Sequence, residues 1–256
     1  MSAKPLVAIA ALKADKFPDI KQLFMRLFEI WPDHPEPAGV VHGVQAGQDV
    51  LSFNLGKDMF TVTRMPHEIP WSDLEGPCKA AWYYWPEAAE ALQEHESHLL
   101  IVMTPGQELL TDSAHALTRL LAAIAKSSET VGILWGGSGR VHQPESIVHA
   151  CTEMPPGILP VQIWVGFSPI QENDGSFSIY TDGMEAFDLM EIEAQRTKIE
   201  PQHLYERVFD VAYYCIERNL AFKDGETFGM SETERILVSY GPSRAEPDNE
   251  VVILNF

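Results

Sequence analysis

The chain of 256 residues carries 37 acidic against 18 basic side chains, a formal net charge of −19 at pH 7, and 45% of its residues are hydrophobic. That apolar content builds a core and excludes global disorder, and the length fits one large domain or two small ones. A field of this sign repels nucleic-acid phosphates and anionic membranes, speeds the encounter with a basic partner, and also serves solubility alone.

Cys78, Cys151 and Cys215 are widely spaced with no C-x-x-C pair, which argues against a disulfide framework or a zinc ribbon. The first apolar run, Leu6 to Leu12, is closely followed by Lys13, Asp15 and Lys16. It is too short to span a bilayer and makes a poor signal peptide. The expectation is a cytoplasmic protein that engages no membrane.

In chain order, residues 6–12 read as a short buried strand. From about Asp19, apolar residues at Ile20, Leu23, Phe24, Leu27, Phe28 and Trp31 share one helical face, and Pro32 and Pro35 stop the helix. Residues 49–55 and 58–64 read as strands joined by a turn. A Pro-rich loop leads into a helical stretch from about Ser72, broken near Pro86 and resuming to about His95, and residues 99–103 form another strand. The order β-α-β-β-α-β is that of a ferredoxin-like unit, and residues 1–104 are expected to form it.

Beyond the best boundary candidate, Thr104-Pro105-Gly106, Asp112 caps a helix over 113–126, and 131–135 reads as a strand followed by a glycine loop. Residues 144–151 form a short helix and 161–167 a strand. Asn173-Asp174-Gly175 turns the chain into a strand over 177–181. A strand over 189–195, a helix over 201–218 and strands over 236–240 and 251–254 follow. The fold class is α+β, with mixed sheets and helices packed on one face. The second half, 105–256, packs on the first as one unit.

No stretch carries a complete catalytic motif. Trp135-Gly136-Gly137-Ser138-Gly139-Arg140 follows a strand but lacks the Lys-Ser/Thr of a phosphate loop and the closing glycine of a nucleophile elbow; it reads as a strand-to-helix connection. His95-Glu96-Ser97-His98 is one residue short of the H-E-x-x-H zinc spacing and reads as two histidines at a helix C-terminus. Asp182-Gly183-Met184-Glu185 and Asp224-Gly225-Glu226 pair carboxylates fit for cation binding or acid–base work, in residues that turns also use. Trp71, Trp82, Tyr83, Tyr84 and Trp85 are dense around Asp73; exposed they would anchor a partner, buried they are core. No basic residue but Lys79 lies among them, which disfavours a nucleic-acid platform. The candidate binding residues are therefore Trp71, Asp73, Trp85, His95, His98, Trp135, Gly136, Gly137, Asp182, Glu185, Asp224 and Glu226, with no metal and no cofactor implied.

Together the stretches Pro66–Cys78, Trp85–Leu92 with His95 and His98–Val102, Leu117–Arg119, Gly132–Gly136, Asp182–Phe187 with Leu189–Glu191, and Lys223–Gly229 resemble a bacterial family known as domain of unknown function 4261. The resemblance covers nearly the whole chain and implies no catalytic residue. Three readings stand. The first is a protein-binding role towards a basic partner, by analogy of class an immunity protein neutralising a basic toxin. The second is a hydrolase or transferase built from residues 135–140, Asp182, Glu185, Asp224 and Glu226. The third is a regulatory module whose ligand the sequence does not name.

Overall fold

The computed structural model describes residues 4–45, 48–106, 109–155, 157–229 and 235–256. The chain divides into two compact units, Met1–Ile163 and Trp164–Phe256.

The first unit runs β1 (Leu6–Leu12), α1 (Ile20–Ile30), β2 (Pro37–Gln45), β3 (Gln48–Leu55), β4 (Asp58–Met65), α2 (Trp71–Ala80), α3 (Ala88–Leu92), β5 (Ser97–Thr104), α4 (Leu110–Ser127), β6 (Thr130–Trp135), β7 (Arg140–His142) and α5 (Pro144–Thr152). Its strands form one seven-stranded sheet in the order β2-β3-β4-β5-β1-β6-β7, with every pairing antiparallel.

Both faces of β1 are covered. Ala11, flanked by the partly buried Ile9, packs with Leu74, Cys78, Trp85, Leu92 and Val141. Leu6, Ala8, Ala10 and Leu12, of the opposite parity, are buried as well, on the side where α4 meets β1 and β6 and packs against α1 and α5. A strand buried on both faces shows a continuous apolar run rather than alternation, which is what residues 6–12 display. The helix ends follow local chemistry. The Asp19 carboxylate accepts from Gln22 N at 2.8 Å and caps α1. α4 begins after Leu109, so Asp112 sits inside its first turn, where its charge suits the helix dipole, rather than at the cap.

A buried carboxylate ties three elements together. Asp58, at the head of β4, is 1% exposed. Its Oδ1 accepts from Gly106 N and from Ser113 Oγ, each at 2.9 Å. Position 106 has to be glycine, because a Cβ there would stand 2.1 Å from the Lys57 carbonyl oxygen.

In the second unit come β8 (Gly166–Gln171), β9 (Phe177–Asp182), a 3-10 turn (Met184–Phe187), β10 (Ile192–Thr197), α7 (Pro201–Arg218), β11 (Thr227–Phe228), β12 (Ile236–Pro242) and β13 (Glu250–Asn255). A single helical turn, α6 (Val161–Trp164), precedes them. The sheet order is β11-β12-β13-β10-β9-β8, mixed because β10 and β13 are parallel. α7 buries Leu204, Val208, Val211 and Cys215 along one stripe and ends on Asn219 in the left-handed region, φ 48°, a conformation that closes helices.

The α+β class holds; several finer expectations do not. A ferredoxin-like order would set β1 between β4 and β5, whereas β5 pairs with both β1 and β4. Helices cover both faces of the first sheet rather than one. The chain does not divide at Thr104-Pro105, because β6, which lies beyond it, completes the sheet against β1. Residues 161–164 form a helical turn, with strand only from Gly166. β2 is a strand that the sequence pattern, interrupted by Pro37, Gly39 and Gly43, does not announce.

Asp58→Ala should deprive the buried Ser113 hydroxyl and the part-buried Gly106 amide of their acceptor and lower the unfolding free energy by about 2 kcal/mol. Asp58→Asn, which keeps an acceptor oxygen, should cost less. Urea denaturation of the two variants beside the parent measures the difference.

Candidate functional site

The glycine loop is a β-hairpin turn. Trp135 pairs with Arg140 and Ile133 with His142, so residues 136–139 reverse the chain between two strands rather than leading to a helix. Two glycines are explained locally. Gly136 N donates to the Val7 carbonyl at 2.8 Å, and a Cβ there would lie 2.6 Å from that oxygen. Gly139 has φ +63°, which only glycine adopts freely. Gly137 is exposed in the turn.

Strand parity places Trp135, Arg140 and His142 on one face of the hairpin and Leu134 and Val141 on the other. The first three are 1%, 4% and 4% exposed. Trp135 Nε1, Ser138 Oγ and His142 Nε2 are buried without a hydrogen-bond partner among the described residues. Burial, with the Arg140 charge adding to it, pushes His142 down to about 4 against an opposing backbone hydrogen bond with Ile163. At neutral pH this imidazole is uncharged, and a polar nitrogen enclosed in this way is costly to leave alone.

The aromatic run after α2 reaches the same edge. Trp85 is buried in the core cluster with Val141, so its role is packing. Tyr84 Oη donates to the Val141 carbonyl at 3.0 Å, and its ring stacks on His142 with centroids 6.1 Å apart. Tyr83 meets Tyr84 at 4.9 Å and Trp82 meets Tyr83 at 5.8 Å. Burial raises both tyrosines, Tyr84 to about 12, with Arg140 opposing. The track ends at Trp82, 67% exposed. Trp71 and Asp73 are also exposed, on the first turn of α2. Beside Trp85 an open groove is lined by Ala91, Glu94, Thr130, Gln143, Pro144 and Glu145. Glu94 is bridged by Lys13 at 2.7 Å, both side chains about half exposed, a pairing worth little in water.

The two histidines separate by role. His95 is buried behind α3; its Nδ1–H donates to the Leu92 carbonyl and its Nε2 accepts from Ile69 N at 2.7 Å. That satisfies a helix-end carbonyl and pins the loop before α2. His98 lies on β5 rather than at a helix end, its Nδ1 2.9 Å from the His67 carbonyl, and burial lowers its pKa. No group of three or more His, Cys, Asp or Glu among the described residues is placed to hold a metal ion.

In the second unit the acidic turns support the backbone. Asp224 accepts from Tyr240 N and Glu226 from Lys223 N, each at 2.9 Å. Glu185 is exposed on the 3-10 turn. The carboxylate that organises the Asp182–Glu185 corner is Glu191: it accepts from Gly183 N at 2.8 Å and Thr181 Oγ1 at 2.6 Å, and burial raises its pKa. The small cavity bordered by Met184, Leu189, Cys215, Leu220 and Phe222 is apolar and offers no acid–base pair. Residues 135–140 belong to the first unit and Asp182, Glu185, Asp224 and Glu226 to the second, and none of these four carboxylates lines the apolar cavity of the second unit.

The sequence pattern points to Arg140 only as the end of the 135–140 loop, and not to His142, Glu94, Glu145 or Glu191. For Arg140 and His142 a signal existed: a four-residue turn followed by Arg-Val-His in strand alternation. For Glu94 and Glu145 none did, because their proximity comes from the packing of α3 and α5 about β6.

A histidine held near 4 when folded and at its ordinary 6.5 when unfolded contributes stability that is whole above pH 6.5 and is lost as pH falls towards 4. His115, also pushed to about 4 by burial, adds to the same slope. His142→Asn, which keeps a donor for the Ile163 contact, should therefore show a shallower fall of thermal midpoint between pH 7 and 4 than the parent.

Neither a curated protein nor a solved structure matches the chain. One family does, over residues 180–255, from the end of β9 to the penultimate residue. The Glu191-centred corner and the Asp224–Glu226 loop lie inside that range, and the first unit lies outside it. Residues 180–255, all within the second unit, are thus similar to a family described as a domain of unknown function, DUF4261.

Proposed function

We propose that the chain binds a basic protein segment along the β7 edge of its first unit. Trp82 and Tyr83 serve as apolar anchors, and Glu94 and Glu145 receive a Lys or Arg of the partner. The carrying observation is the coincidence of a two-thirds exposed tryptophan, continuous with a ring track fixed in the core, and a groove with two carboxylates. An exposed Trp on a rigid support loses little entropy when it docks, and Trp and Tyr dominate interface energetics. A partner ammonium or guanidinium replaces Lys13 at Glu94 at small cost, since the bridge it displaces is exposed. The net charge of −19 steers such a partner in and makes its association rate salt-dependent. A basic toxin is a partner of this kind, and the chain would then act as its immunity protein.

Immobilised full-length protein, exposed to extract of its source organism at low salt, should retain a basic protein and release it as salt rises. Trp82→Ala and Glu145→Lys should each weaken the purified complex by tenfold or more, with Glu145→Lys also reducing the dependence of the on-rate on salt. Binding indifferent to salt and to both substitutions would overturn the reading.

A further inference from the structure

The opposite margin of the first sheet has a different character. Among the described residues β2 is its outermost strand, so one row of its backbone N–H and C=O groups faces no described strand of this sheet. Val40, Val41 and Val44 are 46%, 63% and 67% exposed, and they fall on both faces of the strand. Residues 37–45 contain no Asp, Glu, Lys or Arg. Edge strands are ordinarily guarded by charge, proline or a bulge. Here Pro37 and the irregularity between Ala38 and Val41 protect only the beginning. From Val41 to Val44 the strand pairs regularly with β3 and carries no guard. Glu36 stands exposed just before the strand, and beside its far end Asp49 is paired with Arg64 at 2.8 Å, which also reaches Asp15. His42 packs its ring against Phe17 at 5.4 Å.

We infer that β2 pairs with the β2 strand of a second copy of this chain, antiparallel about a twofold axis, joining the two first-unit sheets into one. Charge selects this occupant. Two chains of −19 each repel over most of their surface, and they meet at least cost where neither carries charge. A basic partner is drawn instead to acidic surface, which this strand lacks. The twofold arrangement makes the interface self-complementary: every donor one strand presents is met by an acceptor of its copy, and the exposed valines of the two strands come side by side.

Sedimentation velocity of the full-length chain over a range of concentrations tests this. The expected result is a concentration-dependent dimer whose population grows with added salt, as screening removes repulsion between copies. Val44→Lys should weaken dimerisation at least tenfold, and Val41→Lys combined with Val44→Lys should leave a monomer. Because both positions are exposed, the thermal midpoint of the isolated fold should not move, which separates loss of pairing from loss of folding. Trp82→Ala, on the other margin, should dimerise like the parent, so failure of the partner-binding reading leaves this one intact. A chain that stays monomeric at every concentration and salt, a dimer that salt dissociates, or a dimer that survives both lysines would each overturn the inference.

Discussion

The first unit depends on a strand of small residues closed in from both sides. Ala8, Ala10 and Ala11 of β1 are essentially inaccessible, and β1 hydrogen-bonds to β5 on one side and β6 on the other. Larger side chains there would push apart the α2–α3 layer on one face or the α4 layer on the other, since interiors packed to crystal density have no slack to give. The same closeness sets other choices. Gly132, on β6, leaves room for Leu92 and Trp85, whose atoms would stand 2.5 and 3.2 Å from a Cβ at that position. α4 presents Ala114, Ala116, Ala122 and Ala123 as buried residues. What the core lacks in side-chain bulk it gains in close approach of backbones.

Local features were the legible ones. The helical stripes of α1 and α7, the apolar runs of β1 and β5 and the hairpin after Asn173 each carry their own signal within a dozen residues. What escaped depended on partners far along the chain. β2 has no alternation to announce it, because neither of its faces is covered. The place of β5 between β4 and β1 is a matter of long-range pairing that no local pattern encodes. Three of residues 161–164, Val161, Ile163 and Trp164, are β-branched or aromatic, yet the segment forms a helical turn, an instance of tertiary context overriding propensity.

The candidate residues divide in the same way. Trp71 is exposed as an anchor needs, whereas Trp85 is core, and sequence alone does not distinguish the two. His95 satisfies a helix carbonyl and a loop amide, a purpose visible only once Ile69 is seen beside it. The carboxylates of the second unit cap turns, as their Gly neighbours suggested. The charge acquires a geography: the groove beside Trp85 bears two glutamates, while the strand at the other margin bears none. Surface of one sign and surface of no sign serve different associations, and a single chain can hold both provided they lie apart.

The three free cysteines have a use of their own. Burial raises Cys78 and holds Cys151 and Cys215 near 12, so in the native fold hardly any thiolate exists to react. Opening the structure releases each thiol to its ordinary acidity. Two of them lie in the first unit and one in the second. The protein thus contains built-in reporters of local opening. The order in which a thiol reagent modifies them would show whether the two units melt as one body or separately.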